Sequence, residues 1–115
     1  MLESLIAALI IIESHGDANA INDDAVGILQ IRPICLKDVN RIIGKPHYIM
    51  RDRYNRVKSK EMCRIYLNHY CTEKRLGRKP TAEDYSRVWN GGPNGWKKES
   101  TEKYWLKVKK ELESD

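Results

Sequence analysis

Residues 10–33 read I-I-I-E-S-H-G-D-A-N-A-I-N-D-D-A-V-G-I-L-Q-I-R-P, passing from apolar to polar and back to apolar sequence. This change decides the fold, because an apolar helix leads into it and an apolar turn follows it. The helix presents a stripe at helical spacing, formed by Leu2, Leu5, Ile6 and Leu9. Glu13 lies four residues past the last of these, on the same face, and Gly16 is the expected stop.

Glu13 is the candidate catalytic acid. A carboxyl group at the open end of an apolar helix is partly removed from water, so its pKa rises and it can donate a proton near neutral pH. The alternative is a structural glutamate that is hydrogen-bonded to nearby backbone amides. Helix pattern and burial alone leave both interpretations equally open.

The residues after this helix predict a polar loop or a short β-ribbon, because residues 16–26 are mostly Asp, Asn, Ala and Gly. Gly27 then permits a positive φ or a close backbone approach. Gln30 stands between Leu29 and Ile31, so we expect a half-buried amide that needs partners. Those partners are either other protein groups, in ordinary structural hydrogen bonds, or the amide group of a sugar in a cleft.

The rest of the chain predicts a mainly α fold. Pro33 can open a second helix that ends near Gly44, and Ser59 is the expected cap of a third helix that ends at Leu76–Gly77. Thr81 and Asp84 have the spacing of a capping box. The helix they begin carries Tyr85 and Trp89 and breaks at Asn90–Trp96, and a last helix begins at Ser100 or Thr101.

Length and charge limit the possible functions. At 115 residues the chain is expected to form one domain, residues 1–115. The net charge of +5 predicts attraction to a polyanion, which could be nucleic acid, a membrane surface or a cell-wall polymer. Arg and Tyr are interleaved in residues 47–58, but no nucleic-acid docking motif accompanies them, so a solvated connecting segment is favoured there.

The cysteines and histidines are not spaced as metal ligands, so no metal and no cofactor are expected. Cys35, Cys63 and Cys71 are interpreted as unpaired thiols. Residues 2–12 lack a basic segment before them and are too short to span a bilayer, so neither an export signal nor membrane insertion is expected.

Three stretches in order resemble the soluble lytic transglycosylase (SLT) domain of the family 23 glycoside hydrolases, relatives of goose-type lysozyme. They are Glu13-Ser14, the run from Ala25 to Pro33, and Trp89-Asn90-Gly91-Gly92-Pro93. The resemblance implies a mainly α, lysozyme-like fold that acts on peptidoglycan glycan strands as a monomer, with no nucleic-acid partner. It also implies action on the bacterial wall, as a phage-released or virion-associated lysin or as part of a secretion system.

The same resemblance implies roles for individual residues. Glu13 would be the general acid and base, and the substrate would be bound by Ser14, Gln30, Ile31, Tyr85, Trp89, Asn90 and Gly91. Trp89 stands where the family usually has a tyrosine whose hydroxyl reaches the acid, so Tyr85 or Tyr104 is expected to supply that hydroxyl.

Two reactions remain open for such a site. A lytic transglycosylase needs one carboxylate and yields 1,6-anhydromuramic products, which is the favoured interpretation. A hydrolysing lysozyme needs a second carboxylate to activate water, and Asp23 or Asp24 could provide it. The alternative of another class is a non-catalytic module that binds glycan or nucleic acid.

Overall fold

The computed structural model describes residues 1–114 and has the predicted mainly α, lysozyme-like architecture. Its elements are α1 (Leu2–Ser14), β1 (Ile21–Asn22), β2 (Ala25–Val26), α2 (Pro33–Ile43), α3 (Arg56–Tyr70), α4 (Glu73–Leu76), α5 (Ala82–Gly91) and α6 (Glu102–Glu113). Short 3₁₀ helices occur at Met50–Tyr54, Gly95–Lys97 and Glu99–Thr101.

Helix α1 is the central helix, and it packs against α3, α5 and α6. Its buried side chains are Leu5, Ile6, Ala8 and Leu9, as the apolar stripe predicts. The sequence of α1 is nearly all apolar, but the helix is not fully enclosed. Ile11 is 37% exposed, because the neighbouring helices cover the stripe and leave the opposite face open.

The polar segment after α1 forms the short β-ribbon that its composition allowed. Strand β1 pairs antiparallel with β2, so that Ile21 lies opposite Val26, and an isolated bridge joins Val26 to Ile31. Arg53 holds this ribbon from outside, since its Nη1 donates to the carbonyl oxygens of Asp24 at 2.8 Å and Ile31 at 3.1 Å.

Gly27 lies at the centre of that contact. Its φ is +85°, and a Cβ there would lie 1.9 Å from the carbonyl oxygen of Arg53. Both properties expected of this glycine, a positive φ and a close backbone approach, therefore occur together. The ribbon can approach the Met50–Tyr54 segment only because residue 27 has no side chain.

Two helix boundaries differ from the sequence-based prediction, both at α3. Helix α3 begins at Arg56 with Asn55 as its cap, and Ser59 is buried inside it with its hydroxyl donating to the Arg53 carbonyl. The helix also ends early, at Tyr70, because the Thr72 hydroxyl accepts from the Arg75 amide and starts the separate helix α4. Asn and Thr are strong caps, and their local bonds outweigh the continuous helical pattern.

Helix α6 begins where it was predicted, with Thr101 in the cap position, but the Thr101 side chain makes no capping bond. Its hydroxyl is instead buried between α5 and the following loop, where it accepts from Arg87 Nε at 2.8 Å. By contrast, the capping box of Thr81 and Asp84 at the start of α5 is present as predicted.

Gly27→Ala is expected to lower the free energy of unfolding by about 2–5 kcal/mol, because the left-handed backbone and the contact with a backbone carbonyl both become unfavourable. Urea unfolding followed by circular dichroism measures this. Gly44→Ala is the matched control, since Gly44 has a φ of +79° but nothing within 4 Å of its Cβ position. It should cost only about 1–2 kcal/mol. Equal losses for the two variants would contradict the close approach.

Candidate active site

The last turn of α1 places Glu13 at the edge of the core. His15 follows in the left-handed conformation, with a φ of 54°, and ends the helix there. The Tyr104 hydroxyl, from α6, donates to Glu13 Oε2 at 2.7 Å. The carboxyl group is therefore held between the first and the last helix, with one oxygen occupied and the other available.

The surroundings of Glu13 change its acidity in the expected direction. Burial raises the pKa of Glu13, while the Tyr104 hydrogen bond and the positive charge of Arg32 oppose that rise without cancelling it. Burial and the neighbouring Glu13 charge in turn raise the pKa of Tyr104, so this hydroxyl keeps its proton and remains a donor. Glu13 therefore has an increased affinity for its proton, and Tyr104 remains a hydrogen-bond donor to it.

A cavity of about 410 Å³ opens in front of Glu13. It brings together five of the predicted site residues, namely Glu13, Gln30, Ile31, Trp89 and Asn90. It leaves outside its lining Ser14, Tyr85, Gly91, Asp23 and Asp24. The predicted acid, the turn after the ribbon and the end of α5 therefore converge, although they are far apart in sequence.

Ser14 has a structural position. Its hydroxyl donates to the carbonyl oxygen of Ile28 at 2.8 Å and accepts from the Gly16 amide at 3.0 Å. These two bonds join the end of α1 to the Gly27–Ile31 turn, so Ser14 orients the acid and the turn relative to each other. It does so from behind the cavity wall.

Gln30 lines the cavity, but most of its hydrogen-bonding capacity is already in use. Its Nε2 donates to the carbonyl oxygens of Ala20 at 3.1 Å and Gly27 at 3.0 Å, and its Oε1 accepts from Asn22 Nδ2 at 2.8 Å. Its backbone is left-handed, with a φ of 53°. Gln30 thus fixes the ribbon and the turn, and it presents Asn22 to the cavity.

The two candidate second carboxylates are elsewhere. Asp24 does not line the cavity but forms an ion pair with Arg32, which does, and Asp23 is exposed in the turn between β1 and β2 with a φ of 55°. Among residues 1–114, Glu13 is the only carboxyl side chain that lines the cavity.

The opposite wall is formed by the end of α5 and the loop after it. Trp89 packs edge-on against Tyr66, with ring centroids 5.6 Å apart. Gly91 supports the wall from behind, since a Cβ there would lie 2.4 Å from Thr101 Cγ2. Its role is therefore close packing, whereas Gly92 borders the cavity.

The loop of residues 91–98, the wall loop, is held by cationic side chains that donate to its carbonyl oxygens. Arg75 Nη1 donates to the Pro93 carbonyl at 3.0 Å, and the buried Arg87 donates to the Lys98 carbonyl at 2.7 Å. Lys98 Nζ donates to the Gly91 carbonyl at 2.7 Å. The loop is thus fixed from three directions.

Several lining residues were not identified from the sequence, notably Asn22, Arg32, Ile34, Cys35 and Tyr66. No local pattern marks them, because they reach the cavity through tertiary packing. Tyr104 was one of two alternatives for the hydroxyl that reaches Glu13. Tyr104 lies four residues before the buried Val108 and Tyr85 lies three residues before the buried Val88, so helical periodicity places both on inner faces and could not separate them.

The cavity offers no metal-ligand cluster, since residues 1–114 contain no group of three or more His, Cys, Asp or Glu side chains that could hold an ion. Burial raises the pKa of the Cys35 thiol, at the cavity edge, to about 12, so it is protonated at neutral pH.

Among residues 1–114, none of the helices has the length and apolar character needed to cross a bilayer.

Residues 1–111 match the family model described as the transglycosylase SLT domain. No curated protein sequence matches the chain. The family match covers all the elements that form the cavity, from the acid on α1 to the tyrosine on α6. The chain therefore belongs to the transglycosylase SLT domain family, whose lysozyme-like domains have lytic transglycosylase-type activity on peptidoglycan.

Proposed function

We propose that this chain cleaves the β-1,4 bond between N-acetylmuramic acid and N-acetylglucosamine as a lytic transglycosylase, with Glu13 as its general acid and base. The observation that carries the proposal is that Glu13 faces the cavity without a second carboxyl group beside it in the part of the chain that the structure describes. Among residues 1–114, Glu13 is the only carboxyl side chain that lines the cavity, and its pKa is raised by burial. One such group suffices for transglycosylation, whereas hydrolysis by the usual route needs two.

In the first step the protonated Glu13 donates its proton to the glycosidic oxygen. The bond from that oxygen to the muramic C1 breaks, and the N-acetylglucosamine side leaves with a free hydroxyl. The sugar ring at C1 carries the positive charge of an oxocarbenium-like state. Glu13 is now a carboxylate, and the Tyr104 hydrogen bond stabilises that charged form.

In the second step the Glu13 carboxylate takes the proton of the muramic C6 hydroxyl. The C6 oxygen attacks C1 of its own ring and forms the 1,6-anhydro bond, so that Glu13 is protonated again and no water is consumed. The attack is intramolecular, and a positioned hydroxyl outcompetes water through its high effective concentration.

Other residues of the cavity have positioning roles in this proposal. Asn22 and Asn90 present amide groups suited to sugar hydroxyl and acetamido groups, and Trp89 and Ile31 provide apolar surface. Gln30 and Ser14 maintain the turn that these groups face. The net charge of +5 favours encounter with the anionic wall, as in a phage-type lysin or a domain of a tail or secretion protein.

Glu13→Gln is expected to lower lytic activity by about 10²–10⁴-fold, because the amide keeps the size of the side chain but cannot donate and retrieve a proton. Turbidity clearance of purified cell walls measures this. Glu3→Gln is the matched control on the same helix, since Glu3 is exposed and pairs with Arg64. Activity retained by a folded Glu13→Gln variant would show that the acid is misassigned, and binding without clearance by the unmodified chain would favour a non-catalytic module.

Tyr104→Phe is expected to shift the basic limb of the kcat/KM profile to higher pH. The substitution removes a hydrogen bond that favours the carboxylate, so the pKa of Glu13 rises further and the protonated acid persists to higher pH. Tyr85→Phe is the control, because the Glu13 carboxyl receives its hydrogen bond from Tyr104 instead. A limb that stays in place, or moves to lower pH, contradicts this role.

Mass spectrometry of the released fragments is expected to show 1,6-anhydromuramic ends, which are lighter than reducing ends by one water. Asp23→Asn and Asp24→Asn should retain activity, because neither carboxylate lines the cavity. Reducing ends, combined with loss of activity in either variant, would identify a hydrolysing lysozyme.

A further inference from the structure

The positive charge of the chain is concentrated in one short stretch. Residues 45–60, here called the basic segment, contain six Lys and Arg residues and a single acidic residue, Asp52. Their net charge of +5 equals that of the whole chain, so the other residues sum to zero. The basic segment follows α2 and runs into α3, and none of its residues lines the cavity in front of Glu13. The proposed reaction therefore does not account for it.

Most of this charge is not compensated within the protein. Arg53 donates to carbonyl oxygens of the ribbon, and Lys58 forms an ion pair with Asp52 at 3.2 Å. The other four cations are exposed, and among residues 1–114 no carboxylate lies within ion-pair distance of them: Lys45, Arg51, Arg56 and Lys60. A stretch with this density of unpaired charge attracts an anionic partner.

The basic segment also exposes large apolar side chains. Four of them lie within nine residues of each other in sequence, namely Ile49, Met50, Tyr54 and Val57. The five other large apolar side chains that residues 1–114 expose are spread over the rest of the sequence. Single exposed apolar residues are ordinary, but a concentration of them marks an interaction surface.

The backbone that carries these side chains is held by buried contacts. Asn40 Nδ2 donates to the carbonyl oxygen of the buried Tyr48, and the Tyr48 amide donates to Asn40 Oδ1, both at 2.9 Å. The buried Asp52 accepts from the Ile49 amide at 2.8 Å, and Asn55 caps α3. The exposed side chains therefore stand on a preformed backbone, and a partner can bind without first ordering it.

We propose that the basic segment binds the surface of a bilayer that contains anionic phospholipids. Its cations contact the lipid phosphates, and its aliphatic side chains lie at the boundary of the acyl chains. Tyr54 suits the headgroup level, which accommodates both an aromatic ring and a hydroxyl group. A wall polymer or the backbone of double-stranded nucleic acid offers charged and hydroxyl groups only, so it would leave Ile49, Met50 and Val57 in water. The contact is peripheral, because the chain lies on the bilayer and does not span it.

Co-sedimentation of the whole chain with vesicles tests this proposal. Vesicles of phosphatidylglycerol and phosphatidylcholine in equal parts should bind the chain about 100-fold more tightly than vesicles of phosphatidylcholine alone, since each unpaired cation near an anionic surface contributes about fivefold. Arg56→Gln should weaken binding to the anionic vesicles by about fivefold. Lys109→Gln removes the same charge from the exposed surface of α6 and should change binding by less than about twofold.

The apolar part of the contact is tested at Val57. Val57→Ser should weaken binding to the anionic vesicles by about three- to tenfold, because the side chain no longer gains from leaving water. Leu106→Ser on α6 is the matched control and should leave binding unchanged, since Leu106 is 61% exposed and Val57 is 65% exposed. Neither change removes a buried side chain, and circular dichroism of the variants checks that they are folded.

Each alternative partner gives a different result. A loss for Arg56→Gln but none for Val57→Ser would identify a purely electrostatic contact, as with a wall polymer or nucleic acid, and would overturn the bilayer proposal. Failure to bind the anionic vesicles, which is expected if the surface docks a protein, would also overturn it. So would equal binding to the two kinds of vesicle, or equal losses for the variants and their α6 controls. None of these outcomes bears on the proposed reaction, which is measured on soluble glycan without a membrane.

Discussion

The hydrogen bond from Tyr104 to Glu13 is the interaction on which the geometry of the candidate site depends. It joins residues 91 positions apart, so it exists only when α6 has packed against α1. The bond also counters part of the rise that burial causes in the pKa of the Glu13 carboxyl group. The acid and base role proposed for Glu13 needs opposing influences of this kind, and the packing of the two terminal helices provides them.

A second constraint comes from the backbone of the ribbon and the turn after it. Asp23, Gly27 and Gln30 all have positive φ values, and Gln30 is a residue for which that conformation is unfavourable. The side-chain bonds of Gln30 to Ala20, Gly27 and Asn22 hold it there. The turn is therefore set before a substrate arrives, which reduces the reorganisation needed on binding.

The sequence predicts most of the fold and the position of Glu13 at the end of α1, because these follow from local pattern. The apolar stripe that ends at Glu13, the glycine at position 27 and the capping box at Thr81 are all readable in short windows, and all are present. What it could not predict depends on contacts between distant segments. Asn22 and Arg32 reach the cavity because Gln30 and Asp24 orient them, and Ser59 is buried because Arg53 supplies its partner. The choice between Tyr85 and Tyr104 likewise needed the packing of α6.

The wall loop should be insensitive to ionic strength because of the way it is held by Arg75, Arg87 and Lys98. Each donates to a neutral carbonyl oxygen, so these bonds depend on close geometry more than on long-range attraction between opposite charges. Added salt screens exposed charges beyond about 10 Å at 0.1 M. It weakens the attraction of a protein with net charge +5 to the anionic polymers of the cell wall, while the loop that borders the cavity keeps its shape. Salt should thus slow the arrival of the protein at its polymer before it alters the chemistry performed there.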